Sequence, residues 1–229
     1  MRVLRGWYDV HVHGADRVPR TGPVLLASNH MGILDGPMLI AVCPRYVHAL
    51  VKREMFDGKA GAAFRAFGQI SLERQQIDVR AVKQAIRVLR DGDVAAIYPE
   101  GTRGNGDFGH VRLGVAYLAL VTGAPVVPVG TLGTRLAGQH VGAVPPRGSR
   151  VDVVFGDAIR SATDPVPWPR RRTDVATLAA ELRTELAAHI RRAVEATGQS
   201  LPGEAPDAEV DAAERRGPEV GPEAEEPAS

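Results

Sequence analysis

The chain has 229 residues, 44% apolar and 24% charged, which suits one globular domain with a real core. Its single cysteine, Cys43, excludes an intramolecular disulfide. The longest unbroken apolar run, Val115 to Val121, is far short of the about 20 residues that span a bilayer.

The net charge of +1 conceals an asymmetry. Residues 199–229 hold nine acids and two arginines, net −7, while residues 1–198 hold 26 basic and 18 acidic residues, net +8. A basic body suits an anionic partner such as a phosphate-bearing substrate or an anionic lipid surface. With aromatics at 5% and no stacking motif, nucleic acid is not expected.

Met1 to Tyr8 carries two arginines and no apolar run, so no secretory leader is expected. Val10 to His13 and Val24 to Ala27 read as strands, the second buried. Gly36 to Val42 reads as a helix, and Cys43 at its end reads as a small buried hydrophobe. Tyr46 to Val51 is a strand, Phe56 to Phe67 a helix, and a short strand surrounds Ile70. Val79, Val82, Ile86 and Leu89 have helical spacing, and Asp91-Gly92 ends that helix. Val94 to Tyr98 is a compact buried strand. Leu113 to Val121 is an apolar helix closed by Gly123.

Val126 to Val129 and Val151 to Phe155 are further strands. The first follows Pro125 and carries Pro128, which points to an edge or a bulge. The last helix, about Asp174 to Ala196, shows a stripe of Val175, Leu178, Leu182, Leu186 and Ile190. That stripe is expected to pack on the domain rather than lie on a membrane. From Gln199 the chain is rich in Pro, Gly, Glu and Ala and reads as a disordered acidic tail. Strands alternating with helices predict an α/β fold: a single domain with a mixed, mostly parallel sheet covered by helices.

Four clusters could carry chemistry. Asn29-His30-Met-Gly-Ile-Leu-Asp35-Gly-Pro37 follows a buried strand, and ligands of α/β sheets sit beyond such strand ends. If the chain turns back, Asp35 can take the His30 Nδ1–H and leave Nε2 to accept a proton from a hydroxyl. The competing reading makes Asp35 a helix N-cap and His30 a satisfied polar residue; one carboxylate can also do both jobs. Tyr98-Pro-Glu100-Gly101-Thr102-Arg103 also follows a buried strand and can present backbone N–H groups and Arg103 to a phosphate, or be a surface turn. Gly68-Gln-Ile70-Ser-Leu-Glu-Arg74 offers Arg74. Ala124-Pro125-Val-Val-Pro128-Val has by itself only a structural meaning.

In this order the four clusters resemble the glycerolipid acyltransferase family, whose best-known members are 1-acylglycerol-3-phosphate acyltransferases. That family carries Asn-His-x4-Asp, then Gly-x-Ile-x3-Arg, then Phe/Tyr-Pro-Glu-Gly-Thr-Arg, then a Pro-containing apolar strand. Lys52 and Glu54 also resemble the Lys-x-Glu that often precedes the second motif, and the likeness covers about residues 9 to 160. The resemblance implies an acyltransferase domain, taken as 1–198 because the composition sets the tail at 199–229. It implies His30 as the base and Asp35 as its partner. It implies that Arg74, Glu100, Gly101 and Arg103 bind the acceptor's glycerol-phosphate end, that Thr102 and Lys52 also bind substrate, and that Pro128 shapes the pocket or its edge.

The implied reaction moves a fatty acyl group from acyl-CoA or acyl-carrier protein to the sn-2 hydroxyl of 1-acylglycerol-3-phosphate. A thioester is already activated, so no metal or other cofactor is required. Many relatives begin with a membrane-embedded helix; this chain has no room for one before His30. A peripheral position on the inner face of the cell membrane is therefore expected, with an anionic lipid surface as partner. Glu73 stands where Asp is common, and Gly104 where many relatives have Ser.

Other readings remain. The acceptor could be another lysolipid. Asp9-Val-His11-Val-His13 looks like the His-x-His strand of metal-dependent amidohydrolases, although no further His stands in a matching context. A non-catalytic lipid-binding module is the third.

Overall fold

The computed structural model describes residues 6–74, 78–160 and 171–203. Among these lie the strands β1 (Asp9–His13), β2 (Val24–Ser28), β3 (Val47–Lys52), β4 (Ile70–Leu72), β5 (Val94–Ile97), β6 (Val126–Leu132) and β7 (Arg150–Phe155). The helices are α1 (Asp35–Val42), α2 (Gly58–Ala66), α3 (Val79–Arg90), α4 (Gly114–Thr122) and α5 (Arg172–Thr197). The sheet runs β1-β7-β6-β2-β5-β3-β4. Each pairing is parallel except β6 with β7.

Burial explains why the strands take these places. β2 is buried at every position, as a central strand covered on both faces must be. β1 alternates exposed and half-buried residues and forms an edge. Successive residues face opposite layers. Leu25 and Ala95 join the core under α3, α4 and α5, while Leu26, Val94 and Ala96 join the core under α1.

Asp78 caps α3 by accepting from the Arg80 and Ala81 backbone N–H groups. α4 is apolar almost all round because it is wedged between α3, α5 and the sheet. The stripe predicted on α5 is buried against that same core, so the helix packs on the domain.

Three local expectations change. β6 is an interior strand, between β7 and β2, not an edge. Pro128 is tolerated there because β7 ends at Phe155, so the proline removes no bond from the named ladder, and its carbonyl still accepts from Gly156 N at 2.8 Å. Cys43 is half-buried rather than buried. Gln199 and Gly203, counted with the tail in the sequence, are held on the body: Gln199 Nε2 donates to Asp152 Oδ2 at 3.0 Å, and Arg135 to the Gly203 carbonyl at 2.9 Å. The tail from residue 204 lies outside the described residues.

Parallel pairing has one consequence that matters for function. β2, β5, β3 and β4 are consecutive in the sheet and all end on the same side. The segments that follow them, at His30, Tyr98–Arg103, Lys52 and Arg74, therefore emerge along one edge.

Candidate active site

Asn29 ends β2 by continuing its ladder with a side chain. Its Oδ1 accepts from Thr131 N at 2.8 Å and its Nδ2 donates to the Thr131 carbonyl at 3.2 Å. His30 thus leaves the sheet from a pinned position. The chain then turns, and Asp35 points back into the turn. His30 Nδ1 donates to Asp35 Oδ2 at 2.8 Å, and the same oxygen accepts from Met31 N at 2.6 Å and Gly32 N at 2.9 Å. The Thr134 hydroxyl donates to Oδ1.

Asp35 is wholly buried and lies inside the first turn of α1. The N-cap position is Leu34, which makes no side-chain cap bond, so the capping reading does not describe this carboxylate. The bond to Asp35 puts the proton on Nδ1 and leaves Nε2 as the acceptor. Burial lowers the His30 pKa below its ordinary value, Asp35 pulls it back up, and Arg103 and Arg74 depress it further. The imidazole is therefore neutral at pH 7, the form a base requires.

His30, Tyr98, Lys52, Arg74 and Arg103 line one cavity of about 280 Å³ with apolar walls that include Ile33, Ile40, Leu50, Met55 and Phe64. Three cations and a neutral imidazole thus share a space with oily surface. The loops are braced: Arg53 Nε meets Glu73 Oε2 at 2.9 Å beside Arg74, and Lys52 Nζ lies 3.5 Å from Glu54.

The remaining predicted residues fall elsewhere. Glu100 is buried behind the His30 backbone, with Oε1 accepting from His30 N at 3.4 Å, while Gly104 N donates to the His30 carbonyl at 2.9 Å. Glu100 and Thr102 line a separate recess of about 190 Å³ with Asn105 and Asp107. Gly101 has φ +77°, and a Cβ there would come 2.2 Å from Arg112 Nε, so only glycine lets Arg112 lie over the turn. Of the Glu100–Arg103 set, Arg103 alone lines the cavity; the other three build the loop that carries it. Pro128 does not line the cavity either; its ring lies toward α5, 3.2 Å from where a Cβ on Gly156 would sit.

Burial raises the Glu100 pKa to about 8, with Asp107 and Asp35 adding repulsion. The folded chain therefore resists its ionisation. This group's contribution to stability is full below about pH 4.5, declines as pH rises to about 8, and is level above that. Glu100→Gln is expected to remove the decline: the variant should melt near wild type at pH 4.5 and above it at pH 8. Parallel melting curves across that range would refute the assignment.

Two contributors had no signal in the sequence. Thr134 and Arg135 follow β6, about a hundred residues beyond Asp35. Thr134 holds Asp35, and Arg135, 1% exposed, donates to the Gly104 carbonyl at 2.9 Å. One dipeptide thereby steadies both halves of the site.

His11 and His13 sit on edge strand β1, three strands from β2. His11 pairs with Asp9 at 2.9 Å and His13 with Asp152 at 2.8 Å. Among the described residues no group of three or more His, Cys, Asp or Glu is placed to hold a metal ion.

A family model described as Acyltransferase matches residues 9–131, just over half of the chain. Over 127 residues the chain is 28% identical to a 1-acyl-sn-glycerol-3-phosphate acyltransferase of Bacillus subtilis (strain 168), covering 55% of this chain and 62% of that protein. It is 35% identical over 136 residues to a human protein named 1-acyl-sn-glycerol-3-phosphate acyltransferase beta, covering 56% and 49%. The chain thus spans less than two thirds of either relative. The crystal structure of a 1-acyl-sn-glycerophosphate acyltransferase from Thermotoga maritima matches with a TM-score of 0.62 at 24% identity, over 83% of this chain and 73% of that one. At that identity the likeness concerns the fold.

Proposed function

The chain belongs to the acyltransferase family, and from that membership we propose that it moves a fatty acyl group from acyl-CoA or acyl-carrier protein to the sn-2 hydroxyl of 1-acylglycerol-3-phosphate, forming phosphatidic acid. The observation that carries this reading is the neutral His30, bonded through Nδ1 to Asp35 at 2.8 Å, in a cavity that combines Arg74, Arg103 and Lys52 with apolar walls. An acceptor with a phosphate at one end and an acyl chain at the other has the chemistry that this lining matches.

In the proposed reaction the acceptor hydroxyl gives its proton to His30 Nε2 as its oxygen bonds to the thioester carbonyl carbon. Negative charge collects on the carbonyl oxygen. Its collapse breaks the C–S bond, and the imidazolium returns the proton to the departing thiolate. Asp35 stabilises the imidazolium between these steps. Holding both substrates in one cavity supplies much of the remaining acceleration.

Contact with lipid is proposed to be peripheral, at the inner face of the cell membrane. No helix among the described residues is long and apolar enough to cross a bilayer, and the basic body suits an anionic surface.

The test incubates purified protein with long-chain acyl-CoA and lysophosphatidic acid and follows thiol release and lipid product. Activity confined to a different lysolipid would remove the acceptor assignment; absence of thioester cleavage with every acceptor would remove acyl transfer itself. Arg103→Met is expected to raise KM for lysophosphatidic acid by about 10–100-fold, the loss of a hydrogen bond to a charged group. Its kcat should change less, because the phosphate is charged throughout the reaction. An unchanged KM would dissociate Arg103 from the phosphate.

A further inference from the structure

We propose that the Tyr98 hydroxyl is the donor that meets the thioester carbonyl oxygen as charge develops on it, an inference that rests on the acyl-transfer reading above. Tyr98 is the first residue past β5. Its ring stacks on the His30 imidazole, with centroids 4.2 Å apart and planes 28° apart, and its side chain lines the same cavity. Stacking and wall-building need only a phenyl ring. The hydroxyl is surplus to both, yet it is buried and has no hydrogen-bond partner.

A buried hydroxyl without a partner is destabilising, so its place against the base calls for a ligand that completes it. Two features say which ligand atom. First, the hydroxyl lies against the opening turn of α1: a Cβ on Gly36 would be 3.6 Å from it. The hydroxyl therefore sits at the same end of α1 as the His30–Asp35 pair. Second, the group stays protonated. Burial holds the phenol well above its ordinary pKa, with Asp35 acting in the same sense, so it donates without ever carrying charge.

The neighbouring cations match a phosphate, which is charged before and after reaction. A neutral, fixed donor instead suits an oxygen that becomes negative only in the transition state. Arg103 Nε is a second buried orphan of the cavity, but it is a permanent cation and belongs with the phosphate.

The experiment compares wild type with Tyr98→Phe, both as the full chain, using long-chain acyl-CoA and lysophosphatidic acid. The variant keeps the stacked ring and loses only the oxygen. The expected result is a kcat lower by about 10²–10³-fold. Both KM values should stay within about threefold, the acid limb of the pH–rate profile should not move, and melting should be at or above wild type, because an unsatisfied group has gone. A kcat within threefold of wild type overturns the assignment, as does a rise in KM alone or a loss of activity that tracks a lower melting temperature. A wild-type chain that cleaves no thioester with any acceptor overturns the acyl-transfer reading and this inference together. An active wild type matched by Tyr98→Phe overturns the hydroxyl's role alone.

Discussion

His30→Ala is expected to lower kcat for acyl transfer by about 10²–10⁴-fold, the usual contribution of a positioned base. KM for both substrates should change little, since the imidazole acts on a proton in flight rather than on a bound charge. The fold should survive. Asp35 keeps three of its donors, Met31 N, Gly32 N and the Thr134 hydroxyl, and so is not left as an unpaired buried charge. The melting curve separates lost chemistry from lost structure. A variant that turns over at the wild-type rate would end His30's candidacy. In the wild type the rate should fall with acid as the imidazole protonates, and the midpoint should lie below 6.5, because burial and two arginines outweigh Asp35.

Asp35→Asn is the second large effect, and it divides differently between stability and rate. An asparagine oxygen can take the place of Oδ2 and accept from His30, Met31 and Gly32, while its amide turns toward Thr134, whose hydroxyl can accept instead. The network survives in outline, and the loss of stability should be about 1–2 kcal/mol. What disappears is the charge that stabilises the imidazolium. The rate should fall by about 10²–10³-fold, within the range expected for loss of base strength. The sign of the pH effect is distinctive: Asp35 raises the His30 pKa, so its removal should move the acid midpoint lower while the plateau drops. Asp35→Ala should behave otherwise, leaving buried N–H groups unpaired and destabilising the chain by about 3 kcal/mol or more. An asparagine variant with the wild-type plateau and midpoint would show that the carboxylate serves only the turn.

The two residues of this pair are five apart, and their pairing is local. It depends on a turn whose backbone N–H groups already favour an acceptor at position 35. The arginines are a different matter. Arg74 and Arg103 are 29 positions apart in the chain and share a cavity because β4 and β5 run parallel, each beside β3. Parallel pairing sends the loop after every strand to the same edge, which is why motifs scattered along the chain converge without contact in the sequence.

The amino-acid sequence by itself determined the α/β class, the order of strands and helices, the basic body, and the set of candidate residues for proton abstraction and anion binding. Those properties are local: hydrophobic period, turn residues and charge are read within a few positions. Only the tertiary structure decided which members of the set share a cavity. Glu100 and Arg103 are three apart, yet Arg103 faces the cavity and Glu100 backs the His30 loop, because a left-handed turn at Gly101 divides them. Pro128 belongs to an interior strand, since an ended neighbour excuses its missing donor as well as an edge does. Thr134, Arg135 and the unpaired Tyr98 hydroxyl were invisible for one reason. What they do depends on groups brought near by the sheet, and no spacing in the chain encodes that distance.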